Sequence, residues 1–567
     1  MTATGPRRVD LDIGQLESIV ERASLSEQDR ATLIAAVGTL AFLTRELQNR
    51  RASVARLRKM LFGARTEKSS TVLESIGGND VGEAGADGLP GDNHAPDDTS
   101  VQPTGEITAG QPEPKPKRKG HGRRSAASYR GGEKVTVEHD TLQALAPCPA
   151  CQKGKLYELQ IPAVIVRVTG QAPLGATVYE CQRLRCNLCG EVYVAKPPAD
   201  AGAHKYDESA SAMISVLKYG TGVPLNRLAR LQAGLGVPLP VGTQWQLVEQ
   251  AASLIVPAHD ELMRQAAQGE VLHNDDTPAK ILALMAARKK GEPIEDGIDP
   301  ERTGMFTSGI VATNVGGVRI ALFFTGRRHA GENLERLLAR RACELAPPIQ
   351  MCDALSRNYS GDFDTILANC LTHGRRKFVD VLSDFPDECR HVIETLRQVY
   401  HNDSIAAEKG MSPAERLAWH VAQSGTLMDD LRAWFDELLE DKKVEPNSGV
   451  GEAIGYMTNH WDALTLFLRV PGAPLDNNLC ERVLKKAILH RKAALFFKTA
   501  NGARVGDLFM SLIHTAELCG ADPFHYLVAL LRNAARLRAA PSQWMPWNYR
   551  DALAALTGTE SDSSIAA

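Results

Sequence analysis

Three carboxylates and two pairs of cysteines are the side chains whose types and spacing could do chemistry in this 567-residue chain. Asp275 ends a short apolar run, Val271-Leu-His-Asn-Asp275-Asp276-Thr-Pro278, and Asp353 ends another, Pro348-Ile-Gln-Met-Cys-Asp353. Two carboxylates brought into contact are costly unless a cation lies between them. Glu481 stands in Pro474 to Phe497, PLDNNLCERVLKKAILHRKAALFF, among Arg482, Lys485, Lys486, Arg491 and Lys492. It could pair with Lys485 at i,i+4, worth a few tenths of a kcal/mol, or it could help to hold a divalent metal while the cations grip a polyanion. Cys148-Pro-Ala-Cys151 and Cys186-Asn-Leu-Cys189 are two knuckles 34 residues apart. That spacing presents four thiolates to one tetrahedral zinc, a closed and therefore structural site. Cys181 is a spare that could replace one ligand.

These groups need elements to position them. Val271 to Asp276, Met305 to Thr313, Val318 to Thr325 and Pro348 to Asp353 read as strands, the second and third joined by an Asn314-Val-Gly-Gly hairpin. A helix over 331–343 precedes the fourth strand. Three strands, a helix and a strand, with aspartates ending the first and fourth, is the order of the ribonuclease H-like fold. Neighbouring strands there bring the two carboxylates side by side. Alternation along the first strand turns Asp276, the other candidate for that position, to the opposite face from Asp275. Around Glu481 the pattern is helical: Asp476, Asn477 and Asn478 can cap the first turn, and Val483, Leu484, Ala487, Ile488 and Leu489 form the apolar face.

The chain holds 43% hydrophobic and 23% charged residues, ordinary for a soluble protein with several domains, and its net charge of −3 makes nucleic-acid binding a matter of local basic clusters. It contains no apolar stretch of membrane-spanning length, and its first residues lack a signal-peptide core, so a cytoplasmic protein with reduced cysteines is expected. Residues 1–69 form N-terminal helices with a coiled-coil seam at Leu33, Leu40, Leu47, Val54 and Leu61, interrupted at Arg50 and read as a self-association element. Residues 70–135 are a disordered linker, first acidic and then basic (KPKRKGHGRRSAASYR, Lys115 to Arg130). The zinc finger occupies 136–200. Residues 201–268 are helical, with Pro224 to Gly234 and a following helix resembling a helix-turn-helix or simply forming a scaffold. The first part of the core spans 269–383 and ends in the basic cluster Thr372-His-Gly-Arg375-Arg376-Lys377-Phe378. A helical insertion (384–470), the second part of the core (471–540) and a tail (541–567) complete the order.

In this order the motifs LFGARTEKS, the two knuckles, LHNDDTPAKIL, THGRRKF, the Glu481 segment and SLIHTAELCGADPFHYL resemble the large transposase of the insertion sequence 66 family over nearly the whole chain. The resemblance implies an α+β multidomain protein. Its ribonuclease H-like core carries a helical insertion and follows a coiled coil and a small zinc finger. It also implies an acidic triad of Asp275, Asp353 and Glu481, which suits two magnesium ions and phosphodiester cleavage followed by strand transfer into target DNA. Arg375, Arg376, Lys377, Arg482, Lys485, Lys486, Arg491 and Lys492 would then neutralise flanking phosphates. Implied partners are transposon-end and target DNA, a second copy of the chain, and two small accessory proteins of the same element. The chain departs from the family at Asp276, where glutamate is common, at Ala354-Leu355, and at His490, Ala493 and Ala494. Those departures leave room for a catalytically inactive DNA-binding protein or repressor derived from a transposase.

Overall fold

The computed structural model describes residues 201–563 apart from 295, short stretches between 144 and 198, and Leu33. The coiled-coil seam beyond Leu33, the linker and all four knuckle cysteines lie outside the described residues. What is described before residue 201 includes a small antiparallel ribbon, β1 (Arg183–Arg185) with β2 (Val192–Val194).

The chain forms two compact units, described here separately. The larger contains Asp97–Cys370 and Ala473–Ala567. Its elements run α1 (Glu208–Ser215), continued by a π-helical turn Val216–Gly220, then α2 (Leu225–Gly234), α3 (Val241–Ala266), β3 (Val271–Pro278), α4 (Leu282–Lys289), β4 (Phe306–Thr313), β5 (Arg319–Gly326), α5 (Ala330–Leu338), β6 (Ile349–Cys352) and β7 (Ile366–Asn369). The smaller unit follows with α6 (Leu371–Val381), α7 (Pro386–Glu408), α8 (Pro413–Glu440), α9 (Gly449–Asn459) and α10 (Trp461–Leu464). The chain then returns to the larger unit as α11 (Asn478–Ala494), α12 (Ala500–Leu518), α13 (Pro523–Arg532), α14 (Ala534–Ala539) and α15 (Tyr549–Ser563).

The central sheet has the order β5-β4-β3-β6-β7, antiparallel from β5 to β3 and parallel from β3 to β7. The hairpin reverses where expected, with Asn314 N–H donating to Val318 at 2.9 Å and with Gly316 and Gly317 at φ 87° and 80°, which glycine adopts without a Cβ penalty. Four strands match the sequence reading to within a residue or two. The fifth, β7, is only Ile-Leu-Ala-Asn, too short to show alternation. The helix expected over 331–343 stops at Leu338.

Strand β5 is an edge, and α12 covers it in an unusual way. Thr515, Ser511 and Asp507, spaced at i, i−4 and i−8, accept the N–H groups of Ala321 (3.1 Å), Phe323 (3.0 Å) and Thr325 (2.7 Å). The helix thereby replaces a missing strand and removes an open template for aggregation. Helix α3 buries Val248, Ala251, Ala252, Ile255, Ala258 and Leu262 in the same core as the sheet residues Leu272, Ile310 and Leu322. The 201–268 segment thus contributes scaffold to the sheet's own unit.

The smaller unit spans Leu371–Gly472, somewhat more than the insertion read at 384–470. Phe378 and Phe435 stack at its centre with ring centroids 5.8 Å apart, and Ser412 caps α8 by accepting from Glu415 N–H. No helix among the described residues is long and apolar enough to cross a membrane.

Candidate metal and phosphoryl-transfer site

The site grows from the register of β3. Parallel pairing of β3 with β6 runs through His273 opposite Met351, so Asp275 and Asp353, each two residues further on, come side by side, Asp275 still within β3 and Asp353 just past the end of β6. Antiparallel pairing with β4 sets Gly309 opposite Asp275. A Cβ on Gly309 would lie 2.9 Å from Cγ of Leu484 and 3.5 Å from Sγ of Cys480, so the missing side chain lets α11 settle directly on the sheet beside Asp275. Cys480 then donates to the Gly309 carbonyl at 3.3 Å. Glu481 follows in the first turn of that helix.

Burial pushes the Asp275 carboxyl up to about 7, with the charges of Asp353, Asp276 and Glu481 adding to the rise, while a 2.7 Å bond from Asp276 N–H opposes it. The charges of Asp353 and Glu481 therefore bear on Asp275. Such crowding of acids is relieved by protonation or by a bound cation. Their oxygens are hard donors of the kind magnesium takes, so the residues fit a divalent metal.

Asp353 is oriented by a buried polar network. Asn358 donates its side-chain amide to Asp353 Oδ1, and Leu355 N–H reaches the same oxygen at 3.4 Å. The Asn358 carbonyl in turn accepts from Asn274 on β3 and from Gln350 on β6, both at 2.7 Å, and Gln350 also donates to Asn274 at 3.0 Å. Sequence reasoning missed these residues. The available signal was Gln350, a polar side chain inside an otherwise apolar four-residue strand.

Helix α11 differs from its sequence reading at both ends. Asn477 does not cap: it is fully buried, donates to the Asn274 carbonyl at 3.0 Å and meets His273 Nδ1 at 3.2 Å, fastening the helix start to β3. Asp476 serves the turn instead, accepting from Asn478 N–H at 3.0 Å. On the apolar face, His490 takes the place assigned to Leu489. It is buried and stacked between Tyr219 and Phe497, whereas Leu489 is 57% exposed. A tyrosine and a phenylalanine offer an imidazole flat partners that a leucine could not use as well.

The candidate DNA-binding cations divide. Arg482, Lys485 and Lys492 are exposed. Lys486 is 3.3 Å from Glu517, and Arg491 donates to Thr277 Oγ1 at 3.1 Å and to the Pro278 carbonyl, where it braces the end of β3. In the smaller unit Arg375 is buried, Arg376 half-buried, and Lys377 exposed with its ammonium 5.3 Å from the Tyr456 ring. The runner-up Asp276 lies on the other face, with its carboxylate 2.8 Å from His329 Nδ1.

A five-stranded mixed sheet packed with helices, with Asp275 and Asp353 on adjacent strands and Glu481 on the helix seated against them, defines a mixed helix-and-sheet protein compatible with the α+β class. The family follows from comparison: the sequence model of the Transposase IS66 family matches residues 204–505, more than half the chain, and the protein belongs to that family. Relatives in Sinorhizobium fredii (strain NBRC 101917 / NGR234) carry only the description of uncharacterized proteins. One, y4jD, is 27% identical over 538 residues, covering 90% of this chain and 96% of its own. Another, y4hP, is 25% identical over 460 residues, covering 75% and 76%.

Proposed function

We propose that this chain is a catalytically competent transposase, cutting DNA at element ends and joining them to a target at Asp275, Asp353 and Glu481. The sheet order with two antiparallel and two parallel pairings supports reading the core as ribonuclease H-like. The observation that carries the proposal is geometric: Asp275 on β3 and Asp353 just past β6 stand on adjacent strands, and α11, which carries Glu481, packs on the sheet at Gly309 beside Asp275.

Magnesium held by those three side chains would supply Lewis acidity to the attacking hydroxyl and to the leaving oxygen of an in-line displacement. The protein's own part is positional. Asn358 fixes one oxygen of Asp353, Gly309 allows Glu481 close to Asp275, and Asn477 holds the start of α11. Arg482, Lys485 and Lys492 are placed on the exposed side of the same helix to meet flanking phosphates. Arg491 acts by bracing β3, and Lys377 is the better phosphate contact in its cluster because Arg375 is buried. Zinc at the four knuckle cysteines, dimerisation through the heptad seam and cooperation with two accessory proteins belong to the same reading and rest on the sequence.

The test is strand transfer of labelled end DNA with magnesium, comparing the chain with Asp353→Ala and Glu481→Ala. Loss in both variants supports the assignment. Equal joining by all three proteins would remove the triad, and binding without joining by the unaltered chain would favour the inactive DNA-binding protein.

A further inference from the structure

A second charged feature lies away from the carboxylates. Helices α3, α5 and α12 and strand β5 line a cleft of about 730 Å³, with Arg336, Arg340, Arg504, His259, Phe323 and Phe324 in its wall. A neighbouring cavity of about 500 Å³ shares Arg336, Arg504 and Phe324 with it and adds Arg328 and an Arg327 that is paired with Asp296 at 3.0 Å. Arg336 and Arg340 stand one turn apart on and just beyond α5. Burial and the charges of Arg328 and Arg340 hold the Arg336 guanidinium below its ordinary range. Among the described residues no carboxylate forms an ion pair with Arg328, Arg336, Arg340 or Arg504; Arg504 donates to Asn501 at 2.8 Å.

Several groups in the cleft bear on what it takes. His259 Nε2 is sealed from solvent without a hydrogen-bond partner, and burial, helped by Arg340, pushes that imidazole down to about 4, so it is neutral. Of the acidic lining, Glu249 already accepts from Asn501 at 2.6 Å, and Asp507 is taken up by Thr325, which donates to both of its carboxyl oxygens. Asp260 is left as the acid facing the arginines. Uncompensated guanidinium groups converging on a cleft fit an oxyanion, and guanidinium geometry favours phosphate. Phe324 adds an aromatic wall beside them.

The location matters as much as the charge. Asn333 of α5 donates to Ser308 at 2.9 Å, and Ser308 pairs with Asp276, so α5 covers the face opposite Asp275. We propose that this cleft binds phosphates of a second stretch of DNA backbone, distinct from the stretch presented to the carboxylates. The choice of DNA over another phosphate source rests on the transposase reading; the site itself rests on the arginines.

The experiment uses the full chain and a labelled duplex, without divalent metal, so that a failure of the catalytic assignment leaves the result untouched. Affinity is measured across a salt series for the unaltered chain, Arg336→Ala with Arg340→Ala, and Arg336→Lys with Arg340→Lys. Loss of two phosphate contacts should flatten the slope of log affinity against log salt by about 1.8 and weaken binding roughly tenfold at moderate salt, while the lysine pair keeps most of both. Equal slopes and affinities in all three proteins overturn the proposal. So does unchanged DNA binding with loss of saturable inorganic phosphate binding in the alanine pair, which would make the cleft a site for a free anion. Thermal unfolding of each variant identifies a folding defect, and in that event the lysine pair decides.

Discussion

Asp275 and Asp276 are chain neighbours with opposite surroundings. Asp275 faces α11, where burial pushes its carboxyl up to about 7 and Asp353 and Glu481 add to the rise. Asp276 faces α5, where His329 meets it at 2.8 Å and the rings of His329 and Phe306 lie 4.1 Å apart. One carboxylate is surrounded by acids and the other is given a base. The strand's two-residue period alone separates them.

The largest effects should come from the crowded face. Asp275→Asn, Asp353→Ala and Glu481→Ala are each expected to lower magnesium-dependent strand transfer by on the order of a thousandfold, since the lost ligand carries several kcal/mol of transition-state stabilisation. In the same proteins without metal, Asp275→Asn should raise the thermal midpoint at neutral pH, because it removes an acid from the cluster. A drop in midpoint there would contradict the crowding.

Next comes the approach that creates this face. Gly309→Ala places a methyl 2.9 Å from Leu484 Cγ, and overpacking of this sort costs about 1–3 kcal/mol. Because the displaced element is α11, strand transfer should fall roughly a hundredfold as Glu481 shifts. Denaturant melts and strand-transfer rates measured side by side check this: a loss of stability with an unchanged rate would separate α11's seat from the site.

Asp507 sharpens the comparison: burial is the first cause of the rise in both carboxyls, but only Asp275 has neighbouring acids adding to it. Asp507 is buried, pushed up to about 8 by that burial, and bonded to Thr325 through both carboxyl oxygens, with no neighbouring acid among the causes. Its folded value lies above the ordinary 3.8, so the folded chain keeps a proton that the unfolded chain releases. The resulting stability is fully present below 3.8 and is lost as pH rises through about 8. The thermal midpoint should therefore decline over that range, and Asp507→Asn should flatten part of the decline. Magnesium should not restore stability lost through Asp507, whereas it should restore what is lost through Asp275.

The sequence made the two aspartate-ending strands, the hairpin and the Glu481 helix legible because each has a local signature: an apolar run closed by a carboxylate, paired glycines, a 3.6-residue period. What it hid was relational. Gly309 looks like any strand glycine until α11 is seen against it, and Asn274, Gln350 and Asn358 become a network only once β3 and β6 are adjacent. The seating of α12 on β5 through Asp507, Ser511 and Thr515 is hidden in the same way, since side chains serving another strand's N–H groups leave no local mark. His490 was passed over for Leu489 because hydropathy ranks leucine first, whereas the site is shaped by flat rings.

The smallest effect is the one that tests the comparison most directly. Asp276→Asn keeps the shape of the side chain and a hydrogen bond to His329 but removes the charge from a pair whose aspartate is 3% and histidine 19% exposed. A pair that well shielded should cost about 1–2 kcal/mol when its charge is lost. Strand transfer should stay within a few-fold of the unaltered chain, because the change lies on the α5 face. Measured beside Asp275→Asn, the two isosteric variants differ by one position and one face of the sheet. If Asp276→Asn abolished joining and Asp275→Asn left it intact, the roles of the neighbours would be reversed, and the base opposite Asp276 would have to be read as part of the reacting site and not as its anchor.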